Sequence, residues 1–212
     1  MKENFEQLIE TLAEDAAAVK PASHPFRLSL KWMGAAAIYL AVSLVLSGLR
    51  PDLAQKFHEP WFIAEIASLL GIFIATSLSA ALLAFPDLYQ KRGIALSPAW
   101  MFALFLLVMY FAWHADSPPA PLPVHSFECT LSITLMTLLP ATWTFYAMRK
   151  FASTHYLLAG GIALLSAFSV GALWLRLHEV NDSIIHVIQW HYLPMLGIGL
   201  IGLWLGRILL KW

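Results

Sequence analysis

Residues 61–85 read WFIAEIASLLGIFIATSLSAALLAF, and Glu65 is their one charged residue. This length and composition predict a helix that crosses a membrane, because about 20 apolar residues span the hydrocarbon core. Five similar runs occur elsewhere in the chain. They cover residues 30–49, 97–113, 130–148, 156–175 and 184–210. The sequence therefore predicts six transmembrane helices.

The overall composition supports an all-α integral membrane protein. Of the 212 residues, 59% are hydrophobic and 12% are charged, whereas a soluble domain carries about a quarter charged residues. We expect residues 30–212 to form a six-transmembrane-helix bundle. Residues 1–29 should form a short cytoplasmic segment with an amphipathic helix.

The basic residues predict the orientation in the membrane. With the N-terminus in the cytoplasm, the cytoplasmic side collects all of the 13 Lys and Arg residues except Arg50, Lys56 and Arg176. Short loops rich in Lys and Arg stay on that side. The first run does not look like a cleavable signal peptide. We therefore expect a multi-pass membrane protein with both termini in the cytoplasm.

This orientation brings potential metal ligands to the outer face. Thiolate, imidazole and carboxylate groups bind zinc and related transition metals, and four of them complete a tetrahedral site. The predicted ligands are Cys129, His178, Asp182 and His186, with Asp182 and His186 on one helical face because they are four residues apart. Other interpretations stay open: interfacial histidines, a helix N-cap at Asp182 or Ser183 and a buried apolar cysteine.

His191 and Glu65 are predicted inside the membrane, near the same face. Ionisable groups there usually have a partner or a function, so we expect a contact between them or a shared metal. His191 follows His186 by five residues, roughly 140° round a regular helix. The two histidines can share a site only if the helix is irregular. Because Cys129 is the single cysteine, an oxidant would act through an intermolecular disulfide, a sulfenic acid or loss of a metal.

The N-terminal segment combines an apolar helical face with acidic residues. Its apolar positions follow helical spacing, and residues 1–19 hold one Lys and five acids. An acidic helix suits a basic-rimmed protein groove better than an anionic membrane surface, although packing against the inner ends of the bundle is an alternative. The predicted partner-binding residues are Phe5, Leu8, Ile9, Leu12, Glu6, Glu10, Glu14 and Asp15.

Other features limit the functional classes. No Walker loop, dinucleotide fingerprint or nucleophile elbow is present, and no basic soluble module predicts direct nucleic-acid binding. We therefore expect a signalling protein and not an enzyme. The alternative is a membrane metalloprotein that transports ions or transfers electrons, and a weaker one is a hydrolase with an outer metal. Pro140 and Pro194 should each free a helix carbonyl, and Gly202 and Gly206 should admit a close helix.

Several stretches resemble a known family. They are LIETLAEDAAAVKP (8–21), GLRPDLAQKF (48–57), WFIAEIASLL (61–70), ECTLSITLMTLLPA (128–141), LRLHEVNDS (175–183) and LGRILLKW (205–212). Through them the chain resembles the NrsF-type membrane anti-sigma factors, which are six-span inner-membrane proteins that hold extracytoplasmic-function (ECF) sigma factors inactive.

The resemblance implies that the N-terminal segment binds an ECF sigma factor and that the outer cysteine and histidine region receives a stress signal, such as a heavy metal or an oxidant. Family members often have Cys-Pro or Pro after the histidine matched by His178, whereas Glu179 and Val180 follow it here. The implied site then uses Cys129, His178 and Asp182, with His191 or Glu179 as further candidates.

Overall fold

The computed structural model describes residues 2–14, 24–86, 91–115 and 126–211. Six helices are long and apolar enough to cross a membrane, which confirms the predicted fold class and the number of spans. The elements are α1 (Lys2–Glu14), α2 (Pro25–Ser47), α3 (Leu53–Lys56), α4 (Pro60–Leu83), α5 (Arg92–Ala95), α6 (Ser97–Ala115), α7 (Phe127–Met148), α8 (Tyr156–His178), α9 (Ile184–His186), a π-helical segment (Val187–Tyr192) and α10 (Pro194–Leu209).

The two most apolar long helices, α4 and α8, form the centre of the bundle. Their most apolar stretches are 67% and 78% buried, against 22–33% for the other long helices. The hydroxyls of Ser77 and Ser166 hydrogen-bond between them at 2.8 Å. The division at residue 29 stays a prediction, although α2 already begins at Pro25.

Successive long helices run in opposite directions, so their connections lie at two ends of the bundle. At the Cys129 end, the N–H of Arg50 after α2 donates to the carbonyl of Leu177 in α8 at 3.0 Å. At the Arg149 end, the Ser153 hydroxyl between α7 and α8 donates to the carbonyl of Leu83 in α4 at 2.7 Å. The sequence-predicted metal ligands all lie toward the Cys129 end.

Both prolines inside the spans free a carbonyl that a neighbouring helix then satisfies. Pro140 lacks the N–H that would bond the carbonyl of Met136, and the Tyr39 hydroxyl of α2 donates to that oxygen at 3.1 Å. Pro194 likewise lacks the N–H that would bond the carbonyl of Trp190. That oxygen accepts from the Thr130 hydroxyl of α7 at 2.6 Å. Unpaired backbone groups are costly in lipid, so these two side chains fix how the helices pack.

Glycines bring the backbones of α8 and α10 into direct contact. A Cβ added to Gly160 would collide with the carbonyl oxygen of Gly202 and the backbone of Gly206. The predicted close approach at Gly202 and Gly206 is confirmed, and the second helix belongs to the same chain.

We expect Gly160→Ala to destabilise the bundle by about 1–3 kcal/mol, because an extra methyl group forces two packed backbones apart. Gly197→Ala is the matched control, since no atom lies within 4 Å of a Cβ added there. Unfolding in detergent micelles, followed by helical circular dichroism, measures both variants. Equal stabilities would show that the α8–α10 contact can relax at no cost.

Candidate functional site

Four side chains with metal-ligating atoms converge at the Cys129 end. They are Cys129 in the first turn of α7, Glu179 directly after α8, His186 in α9 and His191 in the π-helical segment. One ligand atom from each lies within 4.8 Å of the others. We call these residues the four-residue cluster.

The distances inside the cluster are close to those of a tetrahedral metal site. The Cys129 Sγ lies 3.4 Å from the Glu179 carboxylate and 3.7 Å from His186 Nε2. His191 Nε2 lies 3.2 Å from both His186 Nε2 and Glu179 Oε2. Ligands bonded to tetrahedral zinc at about 2.0–2.3 Å are about 3.3–3.8 Å apart. The four donors therefore need only small shifts to coordinate one ion.

The π-helical segment is what brings the two histidines together. Its i to i+5 hydrogen bonding, shown by the N–H of Leu193 donating to Ile188 at 2.8 Å, widens the helical turn. His186 and His191 therefore lie on the same helical face, whereas on a regular α-helix they would lie on different faces. This irregularity meets the condition for a shared site, and Pro194 contributes to it because it cannot donate to the carbonyl of Trp190.

The surroundings of the cluster are largely closed. His186 and His191 are 1% and 0% exposed, whereas the Glu179 side chain is 24% exposed, so the open side is at the loop after α8. The Ser126 hydroxyl lies 2.9 Å from His186 Nδ1, the kind of outer hydrogen bond that orients a metal-binding histidine. In the described part of the chain, His191 Nδ1 is buried without a partner.

The surroundings of the Glu179 carboxyl group favour its ionised form. Burial raises its pKa, but the hydrogen bond and charge of His191, the Cys129 thiol and the charge of His186 outweigh burial and lower the pKa below its usual value. A carboxylate at this position can accept hydrogen bonds from the cluster or bind a cation.

A buried ion-pair network lies beside the cluster. Arg176 of α8 donates from Nε and Nη2 to the two carboxylate oxygens of Glu65 in α4, at 2.7 and 2.8 Å. The Tyr192 hydroxyl of the π-helical segment also donates to Glu65. Glu65 and Arg176 are 4% and 3% exposed, so each charge depends on the other for its solvation.

A second part of the network joins the loops at the same end. The Arg50 guanidinium, which is fully enclosed, donates to Asp182 at 2.7 Å and to Asp52 at 2.8 Å. Lys56 Nζ lies 2.9 Å from Asp182, and Arg176 lies 3.4 Å from it. Burial raises the pKa of Asp182, but these three cations outweigh burial and lower the pKa to about 2. Asp182 therefore stays ionised at neutral pH.

The structure separates the sequence-predicted metal ligands into three groups. Cys129, His186 and His191 lie in the four-residue cluster. Asp182 and Glu65 lie in the ion-pair network, where Glu65 contacts Tyr192 and Arg176. His178 Nδ1 is 2.8 Å from the carbonyl oxygen of Gly48, and its ring stacks on Trp174. Asp182 precedes the helix that begins at Ile184, so the expected shared helical face with His186 is wrong.

Sequence analysis included Glu179 among the candidate ligands only through the family resemblance. It did not predict the ion-pair network of Arg50, Lys56 and Arg176. The sequence did contain a signal for this network, because Arg50, Lys56 and Arg176 are the three cations that are not on the predicted cytoplasmic side. All three pair with carboxylates. Lys and Arg residues in loops predicted on the non-cytoplasmic side, where these residues are rare, are therefore candidates for ion pairs with carboxylates.

The predicted partner-binding face of α1 is exposed. Phe5, Leu8, Ile9 and Leu12 are 53–64% exposed, and Glu6, Glu10 and Glu14 are exposed as well. Helix α1 ends at Glu14, and Asp15 lies outside the described residues. The described apolar face is therefore available to a partner.

Comparison with known proteins identifies the family of the chain. A family model described as negative regulator of sigma F matches residues 12–212. The chain belongs to the NrsF family. It is 32% identical over 216 aligned residues to the anti-sigma-F factor NrsF of Caulobacter vibrioides (strain NA1000 / CB15N), and the alignment covers 98% of this chain and 99% of that protein. No solved structure matches the chain. The predicted family resemblance is confirmed, and the family is described as a negative regulator of a sigma factor.

Proposed function

We propose that this NrsF-family protein is an inner-membrane anti-sigma factor. It holds an ECF sigma factor through α1 and releases it when a metal or oxidant acts on the four-residue cluster from the periplasm. Its termini lie in the cytoplasm. The observation that carries the proposal is the family match over residues 12–212, joined to a helix whose described apolar face is exposed.

Helix α1 suits a partner that is itself basic. Its 13 residues are about the shortest length at which an isolated helix is stable in water, so a partner groove would stabilise it. Leu8 and Leu12 would enter that groove, while Glu6 and Glu10 would meet basic residues at its rim. Such binding occludes the surface with which the sigma factor contacts RNA polymerase.

Loss of α1 should abolish recruitment of the sigma factor. We expect full-length protein to draw one ECF sigma factor of the same organism, fused to a fluorescent protein, to the membrane, and a variant lacking residues 2–20 to leave it in the cytoplasm. Leu8→Asp combined with Leu12→Asp should have the same effect, because both positions lie on the apolar face.

Gln7→Asp combined with Thr11→Asp is the matched control, since it adds the same charge to the same helix away from that face. Fluorescence microscopy and co-purification measure both outcomes. Membrane recruitment by the variant lacking residues 2–20 would refute α1 as the sigma-binding element.

The cluster supports a metal as the signal. One thiolate, two imidazoles and one carboxylate form a mixed set of sulfur, nitrogen and oxygen donors that suits zinc and similar transition ions. The partly exposed Glu179 gives access from the loop. An oxidant would act on the same site through the Cys129 sulfur, since a sulfenic acid or loss of its thiolate removes one ligand.

The π-helical segment is a physical link from the cluster to the bundle. It carries His191 in the cluster and, next to it, Tyr192 on the Glu65 carboxylate. A change of ligands at His191 would shift Tyr192 and so perturb the pair that joins α4 to α8. To drive a switch, the signal must bind the two states with affinities that differ by a few kcal/mol.

A further inference from the structure

A groove of about 450 Å³ lies on the lipid-facing side of the bundle, between α7 and α10. One wall is α7 from Thr134 to Arg149, the other is α10 from Ile198 to Leu209, and buried Leu164 of α8 closes it from behind. At 1.5 Å per residue the α7 wall extends about 22 Å, more than the roughly 15 Å of one leaflet's hydrocarbon. An extended acyl chain therefore fits along it.

Between Thr134 and Phe145, the described lining of the groove has no hydroxyl hydrogen free to donate. Three threonines line it, but each hydroxyl donates to the carbonyl four residues earlier. These bonds run from Thr134 to Thr130, from Thr137 to Ile133 and from Thr142 to Leu138, at 2.7–2.8 Å. The occupant of this part must be apolar, because a polar group there would lose its hydrogen bonds to water.

The groove ends at an exposed cation. Arg149, which caps α7, is exposed, and its guanidinium forms no hydrogen bond or ion pair with any residue that the structure describes. An apolar channel with a guanidinium at its mouth matches a molecule that has an acyl chain and an anionic head. Guanidinium groups bind phosphate through paired N–H donors.

Charge across the bundle favours the same ligand. In residues 24–86, 91–115 and 126–211, every carboxylate lies at the Cys129 end: Asp52, Glu59, Glu65, Glu128, Glu179 and Asp182. The Arg149 end of the same segments collects the cations Arg27, Lys31, Lys91, Arg92, Arg149, Lys150, Arg207 and Lys211. Such a basic end attracts anionic lipid from the adjacent leaflet.

We propose that the α7–α10 groove is a binding site for an anionic phospholipid, with its acyl chain between the two helices and its phosphate on Arg149. The site is independent of the sigma-binding helix and of the four-residue cluster. Lipid bound in this groove would make the packing of α10 against the bundle depend on the lipid composition of the membrane.

Native mass spectrometry of the full chain tests the site, with phosphatidylglycerol and phosphatidylcholine of identical acyl chains added to the detergent. Wild type should prefer phosphatidylglycerol by about fivefold, the effect of one basic residue at a lipid surface. Arg149→Gln should lose that preference. Arg27→Gln removes the same charge from the same end but lines no part of the groove, so it should keep the preference.

A second variant tests the acyl-chain channel. Ile201 is 51% exposed at the rim of the groove, so Ile201→Trp should fill the channel without disturbing the fold and should reduce tight binding of both lipids. Equal loss of preference in Arg149→Gln and Arg27→Gln, or no preference in wild type, would overturn the site. A dimer that replaces bound lipid and disappears in Ile201→Trp would identify the groove as a helix–helix interface instead.

Discussion

Glu65→Gln is expected to destabilise the bundle by about 3–5 kcal/mol, because it removes the nearer counter-charge of the buried Arg176 guanidinium and leaves only Asp182, 3.4 Å away. Arg176 is 3% exposed, and its Nε and Nη2 both donate to Glu65. The neutral amide keeps the shape but can accept through only one oxygen. Unfolding by denaturant in detergent micelles, followed by helical circular dichroism, measures the loss.

Glu59→Gln is the matched control at the same end. Glu59 also pairs with a cation, Lys56 at 2.8 Å, but its side chain is 54% exposed, and exposed pairs contribute at most about 1 kcal/mol. The double variant Glu65→Gln with Arg176→Met removes both charges and should be more stable than Glu65→Gln alone. If Glu65→Gln and Glu59→Gln have equal effects, water reaches the Arg176 pair and the network is not a buried one.

The fold was predictable because it depends on the lengths of apolar runs. Six runs near 20 residues dictate six helices in lipid, where only internally bonded backbone is stable. Short connections then impose antiparallel neighbours. The apolar face of α1 was predictable for a similar reason, since Phe5, Leu8, Ile9 and Leu12 follow the period of a helix.

The candidate site was only partly predictable, because its geometry depends on a departure from regular structure. Spacing placed His186 and His191 on different helical faces, and the π-helical segment reverses that result. Spacing also paired Asp182 with His186, whereas three cations hold Asp182 elsewhere. Pro194 was the local clue to the irregular turn, but the Thr130 hydroxyl that stabilises it comes from another helix.

Purified wild-type protein is expected to bind one Zn²⁺ per chain, and substitution in the four-residue cluster should abolish this binding. Cys129→Ser and Glu179→Gln each remove one of four ligands, and we expect affinity to fall by more than about a hundredfold. Ser126→Ala removes only the hydrogen bond to His186 Nδ1, and losses at such positions are about 10- to 100-fold. Elemental analysis and competition with a chelating dye measure stoichiometry and affinity under reducing conditions.

His178→Ala is the control that separates this site from the one predicted by spacing. His178 lies at the same end and hydrogen-bonds to Gly48, so its loss should leave zinc affinity unchanged. Co²⁺ adds a second measurement, because a tetrahedral site with a thiolate ligand gives charge-transfer and ligand-field bands that Cys129→Ser should lose. Wild type without stoichiometric metal, or equal losses in His178→Ala and Cys129→Ser, would refute the four-residue site and leave the Cys129 thiol itself as the sensor.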